Sequence, residues 1–332
     1  MVEISPADVE EAWENIHERV GRSRRRPRVG RTPLIRSSAL SEASGAEIYL
    51  KLENLQHTNS FKVRGAFNLV LSLSDAERQR GLVAASTGNH GAAVAYVAQQ
   101  LQLGATIVLP ETATPHKVQL CRIHGAEVRV EGATYDESLE VASELADRER
   151  KVLVPATEHP LVMAGQGTIA MEILEERPET NVLIVPVGGG GLIVGMAVWA
   201  KSVRPGIRII GAQSSGARTM YESLQAGRVV DVPPEPTLAD ALAGGITSEN
   251  LALVQEHVDE FLLVDEADLA RAIKWIARSE GQVIEGAGAV GVAALLQGQI
   301  ALRAGEEAVV LISGGNIGPT PGGPTAVDPS RA

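Results

Sequence analysis

Lys62 lies in the stretch TNSFKVRGA (residues 58–66), between a phenylalanine and a valine. A lysine amine can act as a nucleophile toward a carbonyl compound when its surroundings lower its pKa. A lysine that stands alone in a sequence is more often a solvated charge on the surface. Whether Lys62 does chemistry therefore depends on the ligand-binding motifs that accompany it.

The clearest of these motifs is the glycine run in VPVGGGGLIVGMA, which contains Gly188, Gly189, Gly190 and Gly191. Successive glycines leave backbone N–H groups uncovered, and the helix predicted to begin near Leu192 directs its positive end to the same place. Such a turn can hold a phosphate, although alone it could equally be a tight turn. It lacks the Lys and Ser/Thr ending of a P-loop, which disfavours a nucleoside triphosphate.

A second turn, ASTGNHGAAVAY, lies between a predicted strand and a predicted helix, and its loop comprises Ser86, Thr87, Gly88, Asn89 and His90. N–H groups at the start of a helix suit a carboxylate, and the Asn89 amide can donate a hydrogen bond to an oxyanion. His90 is interpreted as a residue that supports the loop rather than as a general base.

A third turn, LISGGNIG, places Ser313 directly after the last strong apolar run. A serine hydroxyl can donate to a ring nitrogen, or accept from it, without adding charge. In open parallel sheets, ligands bind beyond the carboxyl ends of the strands, where all three turns are predicted to lie. A phosphate-binding turn, an oxyanion-binding loop, a neutral partner for a ring nitrogen and a lysine are the parts that hold pyridoxal phosphate as a Schiff base.

These motifs sit on a regular alternation of strands and helices. Continuous apolar strands that alternate with helices predict parallel sheets covered on both faces, which is an α/β architecture. The first helix is predicted to begin with Ser5 as its N-cap, Pro6 in its first turn and the Asp8 carboxylate reaching back to the cap. It is predicted to run to about Gly21. The predicted strands are EIYLKL, GLVAAST, ATIVLP, EVRVEG, KVLVPAT, NVLIVPVG, RIIGAQ, EFLLVD and AVVLISGG.

The strand–helix units divide into two groups. Residues 46–145 are predicted to form a small domain, and residues 1–45 and 146–332 a large one. The final stretch, PTPGGPTAVDPSRA, is rich in proline and glycine and is interpreted as a loose end.

Composition excludes several classes of partner. The 332-residue chain carries a net charge of −11, which disfavours nucleic acid, and its basic run at residues 21–31 is interpreted as a linker or an interface patch. No apolar run approaches the roughly 18 residues of a membrane helix, so no membrane partner is expected. The start shows no secretory signal, and the single cysteine, Cys121, favours a reducing compartment. The cytoplasm is the expected location.

The stretches SFKVRGA, STGNHG, AGQGTIAMEIL, GGGGL and SGGN, between Arg31 and Asn316, resemble the threonine/serine dehydratase family, which includes the serine racemases. These are fold type II pyridoxal-phosphate enzymes, similar to tryptophan synthase β. The resemblance implies two open, twisted, mostly parallel sheets flanked by helices, with pyridoxal 5'-phosphate between a large and a small domain. It also implies a homodimer or a homotetramer.

The resemblance assigns a role to each motif. It implies that Lys62 carries the cofactor and removes the substrate's α-proton once it is freed. The other implied positions are Phe61 near the ring, Asn89 at the phenolic oxygen, Gly188 through Leu192 at the phosphate, Ser313 at the pyridine nitrogen, Ser86 through His90 at the substrate carboxylate and Glu285 close to the ring. Metal-stimulated relatives place carboxylates where this chain has Gln213 and Thr219, so no strong metal site is expected.

The implied reaction is β-elimination of water from an L-β-hydroxy-α-amino acid of the threonine or serine type, giving a 2-oxo acid and ammonia. A dehydratase for another hydroxyamino acid, such as hydroxyaspartate, phenylserine or a hydroxyectoine-pathway intermediate, is an open alternative. So is a serine racemase, in which the hydroxyl of Thr87 would return the proton. Less favoured alternatives are β-replacement and a non-catalytic carrier. Relatives commonly have glycine at the position of Ala241, so the resemblance does not determine the shape of the substrate pocket.

Overall fold

The computed structural model describes residues 3–18, 29–233 and 235–318. Helix α1 (Pro6–Trp13) begins with the predicted capping box, in which the Ser5 hydroxyl accepts from the Asp8 amide and the Asp8 carboxylate accepts from the Ser5 amide. The helix continues into a π-helical turn, Glu14–Glu18. The predicted helix end near Gly21, most of the basic run and the tail 319–332 lie outside the described residues.

All nine strands predicted from apolar runs are present, together with one short edge strand that the pattern did not indicate. The strands are β1 (Leu34–Arg36), β2 (Glu47–Leu52), β3 (Leu82–Ala85), β4 (Ala105–Leu109), β5 (Glu127–Val130), β6 (Val152–Leu153), β7 (Val182–Pro186), β8 (Arg208–Ser214), β9 (Glu260–Val264) and β10 (Glu307–Ile312).

Helices separate most of these strands, as the α/β interpretation predicts. They are α2 (Ser38–Ser44), α3 (Lys62–Ser72), α4 (Asp75–Gln79), α5 (Asn89–Leu101), α6 (Pro115–Arg122), α7 (Tyr135–Glu149), α8 (Pro160–Glu176), α9 (Gly191–Val203), α10 (Thr219–Ala226), α11 (Ser248–His257), α12 (Glu266–Ser279) and α13 (Gly286–Leu296). Short 3₁₀ turns lie at Glu53–Leu55 and Asp240–Leu242. Within the described residues, none of these helices combines the length and apolar character needed to cross a membrane.

The strands form two sheets that are parallel except at one edge. The larger sheet has six strands in the order β1-β2-β10-β7-β8-β9, with β1 antiparallel to β2. The smaller sheet has four strands in the order β5-β4-β3-β6, all parallel. Successive residues of a buried strand face opposite layers, and Leu183 and Ile184 accordingly pack into different hydrophobic clusters on the two faces of the larger sheet.

The sheet pairing does not follow the limits predicted for the small domain, residues 46 and 145, which remain a prediction. Strand β2 lies within those limits but pairs with β10 in the larger sheet. Strand β6 lies beyond them but pairs with β3 in the smaller sheet. A buried parallel strand reads as an apolar run whichever sheet it joins, so the pattern locates strands without naming their partners.

Candidate active site

Lys62 is the first residue of α3 and is fixed there by the end of β10. The Phe61 amide donates to the Ser313 carbonyl at 3.1 Å, and Ser60 forms an isolated bridge with Gly314. The Lys62 amine donates to the Ala156 carbonyl at 2.9 Å and lies 5.2 Å from the centroid of the Phe61 ring. The contacts of residues 60 and 61 therefore hold Lys62 in a fixed position relative to the turn after β10.

The surroundings of Lys62 favour its neutral form more than water does. Burial lowers the pKa of Lys62 to about 8, against the opposing effects of the Glu158 and Glu285 carboxylates. At pH 7 roughly a tenth of this amine is thus neutral and available as a base, whereas an exposed lysine would be almost fully protonated.

A cleft with about 930 Å³ of empty volume, including the part open to solvent, brings the predicted site residues together. We call it the inner cleft. Of the predicted residues, its lining contains Phe61, Lys62, Ser86, Thr87, Asn89, His90, Gly188, Gly189, Gly190, Gly191, Leu192, Glu285 and Ser313. Gly88 is buried behind this lining, with a φ of 154° that favours glycine.

The glycine turn leaves no room for side chains. Gly190 has a φ of 93°, and a Cβ on Gly191 would lie 2.4 Å from the Thr157 carbonyl oxygen. A Cβ on Gly189 would lie 2.7 Å from the Thr157 hydroxyl oxygen. The turn therefore presents bare backbone at the positive end of α9, which fits the phosphate group of pyridoxal phosphate.

Replacing Gly191 with alanine should weaken the binding of pyridoxal phosphate, because backbone of the 157 segment must move to admit the methyl group. Overpacking of this kind costs roughly 1–3 kcal/mol, so we expect a roughly 5- to 150-fold higher Kd in a titration followed by absorbance. Gly206→Ala is the matched control, since a Cβ there meets no heavy atom within 4 Å. Equal cofactor affinity in both variants would contradict the steric explanation.

The loop at residues 86–90 is shaped by Ser86. Its hydroxyl accepts from the amides of Gly88 and Gly91, both at 2.8 Å. The His90 Nε2 donates to the Val154 carbonyl at 2.8 Å, and burial, with the Lys62 charge, lowers the pKa of His90 to about 3. A neutral, hydrogen-bonded His90 agrees with its interpretation as a loop support.

Asn89 is oriented by two side chains. The Asn316 amide donates to the Asn89 carbonyl oxygen at 2.8 Å, and the Asn89 amide donates to Glu285 at 2.6 Å. An amide nitrogen carries two hydrogens, so one remains for an oxyanion in the inner cleft. Burial raises the pKa of Glu285 to about 7, although the Asn89 hydrogen bond opposes the shift. Asn316 is the last residue of the SGGN motif, and the sequence assigned no role to it.

Other residues at the site had no sequence signal at all. Lys117 forms an ion pair with Asp240, and its methylene stem covers Gly88, since a Cβ at Gly88 would lie 2.9 Å from the Lys117 Cδ. Tyr135 lines the inner cleft from the first turn of α7.

At the position considered for a metal, the Gln213 side-chain oxygen accepts from the Tyr221 amide at 3.0 Å. Among the described residues, no group of three or more His, Cys, Asp or Glu side chains could hold a metal ion.

Comparisons with known proteins agree with this geometry. Residues 25–314 match the family described as pyridoxal-phosphate dependent enzyme. An L-threonine ammonia-lyase of Thermotoga maritima is 47% identical over 293 residues, which cover 87% of this chain and 72% of that protein. The structure of the processed form of threonine deaminase isoform 2 from Solanum lycopersicum superposes with a TM-score of 0.86 at 31% identity, over 96% of this chain and 88% of that one. Maize serine racemase superposes with a TM-score of 0.88 at 30% identity, over 95% and 94% of the two chains.

Proposed function

Because this chain belongs to the family of pyridoxal-phosphate dependent enzymes, we propose that it removes water from an L-β-hydroxy-α-amino acid and releases a 2-oxo acid and ammonia. The first substrate to consider is L-threonine, since the Thermotoga maritima relative is named an L-threonine ammonia-lyase. The observation that carries the proposal is the convergence of Lys62, the glycine turn and Ser313 on one cleft.

The cofactor would be held at four points of the inner cleft. The N–H groups of the glycine turn and of Leu192 would bind its phosphate, and the free Asn89 amide hydrogen its phenolic oxygen. Ser313 would face the ring nitrogen, and Phe61 would pack beside the ring. When bound, pyridoxal phosphate withdraws the electron pair that is left at the substrate's α-carbon. Ser313 adds no negative charge at the ring nitrogen, which favours prompt loss of the β-hydroxyl over a long-lived carbanion.

Lys62 would act as the base. Its amine, with a pKa of about 8, takes the proton from the α-carbon. The bond from the β-carbon to the hydroxyl then breaks, and one proton passes to that oxygen, which leaves as water while the lysine returns to its neutral form. Water then replaces the nitrogen, so that the net products are the 2-oxo acid and ammonia. In the loop at residues 86–90, the Ser86 amide donates to the Val108 carbonyl and the Gly88 amide to the Ser86 hydroxyl. The N–H groups of Thr87, Asn89 and His90 would therefore bind the substrate carboxylate and fix the α-proton relative to the lysine.

The test is product analysis on the purified protein supplied with pyridoxal phosphate. A panel of L-threonine, L-serine, L-hydroxyaspartate and L-phenylserine is assayed for 2-oxo acid and ammonia in equal amounts. We expect L-threonine or L-serine to give the highest kcat/KM. If the cofactor binds and no panel member yields a 2-oxo acid, the dehydratase proposal is wrong.

Racemisation of serine is the second candidate, because the Thr87 hydroxyl lines the inner cleft and the maize serine racemase superposes closely. Threonine keeps the hydroxyl but restricts its rotamers, which makes this the weaker candidate. Chiral analysis of the L-serine reaction separates the two, since D-serine forms only by racemisation.

We also propose that the enzyme is a cytoplasmic homodimer or homotetramer. The free, buried thiol of Cys121 suits a reducing compartment, and the oligomer rests on the family resemblance alone. Light scattering coupled to size-exclusion chromatography measures the oligomeric state directly.

A further inference from the structure

A second cavity adjoins the inner cleft on the side away from the glycine turn. This outer cavity has about 1750 Å³ of empty volume, against about 930 Å³ for the inner cleft. Its lining includes the start of α7, residues 216–219 and 229–233, and Pro110, Thr112, Ala113, Thr114 and Lys117. Pro110, Val230, Val232 and Pro233 give this lining a partly apolar character.

The two cavities meet at a narrow set of residues. Five described residues line both: Thr87, Tyr135, Ala243, Gly244 and Gly245. Four of the five are small. The ring of Tyr135 is the one bulky group among them, and it therefore determines how wide the connection is.

The position of Tyr135 is set by the start of α7. Thr134 caps the helix by accepting from the Glu137 amide at 3.2 Å, which places Tyr135 as the first helical residue. Across the connection, Gly244 has a φ of 148°, and a Cβ built there would lie 4.0 Å from the Tyr135 Cδ1. The backbone at Gly244 thus offers no side chain of its own to narrow the opening.

Tyr135 also stays uncharged. Burial, with smaller contributions from Glu158 and Asp136, raises the pKa of the phenol, so the ring is neutral at any physiological pH. Charge on Tyr135 therefore has no part in substrate selection, which leaves the size of the ring and hydrogen bonding by its hydroxyl.

We propose that Tyr135 limits the size of the β-substituent that the enzyme accepts. The ring leaves room in the inner cleft for the hydrogen of serine or the methyl of threonine, and it separates larger apolar substituents from the outer cavity, which could contain them. This inference rests on the proposed dehydratase function. It assigns Tyr135 a role in specificity rather than in proton transfer.

The experiment compares L-phenylserine with L-threonine in wild type, Tyr135→Ala and Tyr135→Phe. In Tyr135→Ala we expect the ratio of kcat/KM for phenylserine over threonine to rise by at least about tenfold, mainly through a lower KM for phenylserine. Tyr135→Phe keeps the ring and should keep the wild-type ratio. Val232→Ala enlarges only the outer cavity, so this variant should also keep the wild-type ratio of kcat/KM values.

Binding gives a second readout that needs no turnover. L-Phenylalanine lacks the leaving group, and calorimetry should show that it binds Tyr135→Ala about tenfold more tightly than wild type. If Tyr135→Ala does not fold, Tyr135→Val takes its place with a smaller expected gain in the same direction.

Three results would overturn the inference: an unchanged ratio and unchanged phenylalanine affinity in the small variants, an equal gain in Tyr135→Phe, or wild type that already prefers phenylserine. A failure of the proposed function looks different, since wild type would then release no 2-oxo acid from any hydroxyamino acid.

Discussion

Lys62→Ala should lose at least about 10⁴-fold in kcat/KM for the hydroxyamino acid, because the variant lacks the residue that we propose both carries the cofactor and takes the α-proton. The loss should fall on kcat rather than on substrate binding, since the carboxylate loop at residues 86–90 is unchanged. Steady-state release of 2-oxo acid measures the effect.

A covalent readout separates this result from simple damage to the fold. After borohydride reduction, the intact mass of wild type should increase by one cofactor, and that of Lys62→Ala should not. Lys201→Ala is a suitable control, because Lys201 lies in the last turn of α9 and pairs with Asp259 at 2.7 Å, away from the cleft. Retained dehydratase activity in Lys62→Ala would contradict the mechanism outright.

The sequence predicted the strands well because each is an apolar run bounded by polar or turn residues. Val182–Pro186 and Glu307–Ile312 are completely buried, and such runs stand out without any knowledge of the fold. The edge strand Leu34–Arg36 was missed because it has three residues, only partly buried or exposed, and so has no apolar run. The apolar runs did not indicate which sheet β2 and β6 join, because pairing connects segments that are distant along the chain.

The cleft was predictable to the extent that its residues follow strands directly. The glycine turn follows β7, the loop at residues 86–90 follows β3, and Ser313 follows β10, so one rule for parallel sheets places all three together. Tyr135 is the first residue of α7, and no motif in the neighbouring sequence marks it as a cleft residue.

The ion pair between Lys117 and Asp240 was equally unpredictable from the sequence. Lys117 and Asp240 are 123 residues apart, and neither charge is unusual in its own stretch of sequence. Their ion pair joins α6 to the turn at Asp240–Leu242, two elements that only the folded chain brings together. The motifs thus indicated the residues that we propose contact the cofactor, and did not indicate Tyr135, Lys117 or Asp240.

A buried ionic network includes Arg64, in the same turn of α3 as Lys62. Arg64, two residues after Lys62, donates to both carboxylate oxygens of Glu53 at 2.8 and 2.9 Å and to Glu172 at 2.7 Å. Lys51 donates to the other oxygen of Glu172 at 2.5 Å. All four side chains are at most 1% exposed, and their formal charges cancel. The network joins the first turn of α3 to α8 and to β2.

Arg64→Met should destabilise the protein by about 3–5 kcal/mol, because it leaves two buried carboxylates with one lysine between them. Chemical denaturation of wild type and variant measures the difference in the free energy of unfolding. Arg36→Met is the matched control, because Arg36 pairs with Glu47 in an exposed position, where solvent screening leaves ion pairs with little effect on stability. If the two variants lost the same stability, the buried network would have no special role in holding α3.

The dependence of this loss on pH follows from Glu172. Burial alone would raise the pKa of Glu172, but Arg64, together with His17 and Lys51, outweighs burial and lowers it. A lowered carboxyl pKa contributes stability that is present above the unfolded-state value and is lost as pH falls below it. Without Arg64, burial should raise the pKa of Glu172, and the variant should regain stability when the carboxyl group takes up a proton. The gap between wild type and Arg64→Met should therefore narrow between pH 7 and about pH 4. A gap that is constant over this range would mean that the lost packing of the arginine, rather than an uncompensated carboxylate, causes the destabilisation.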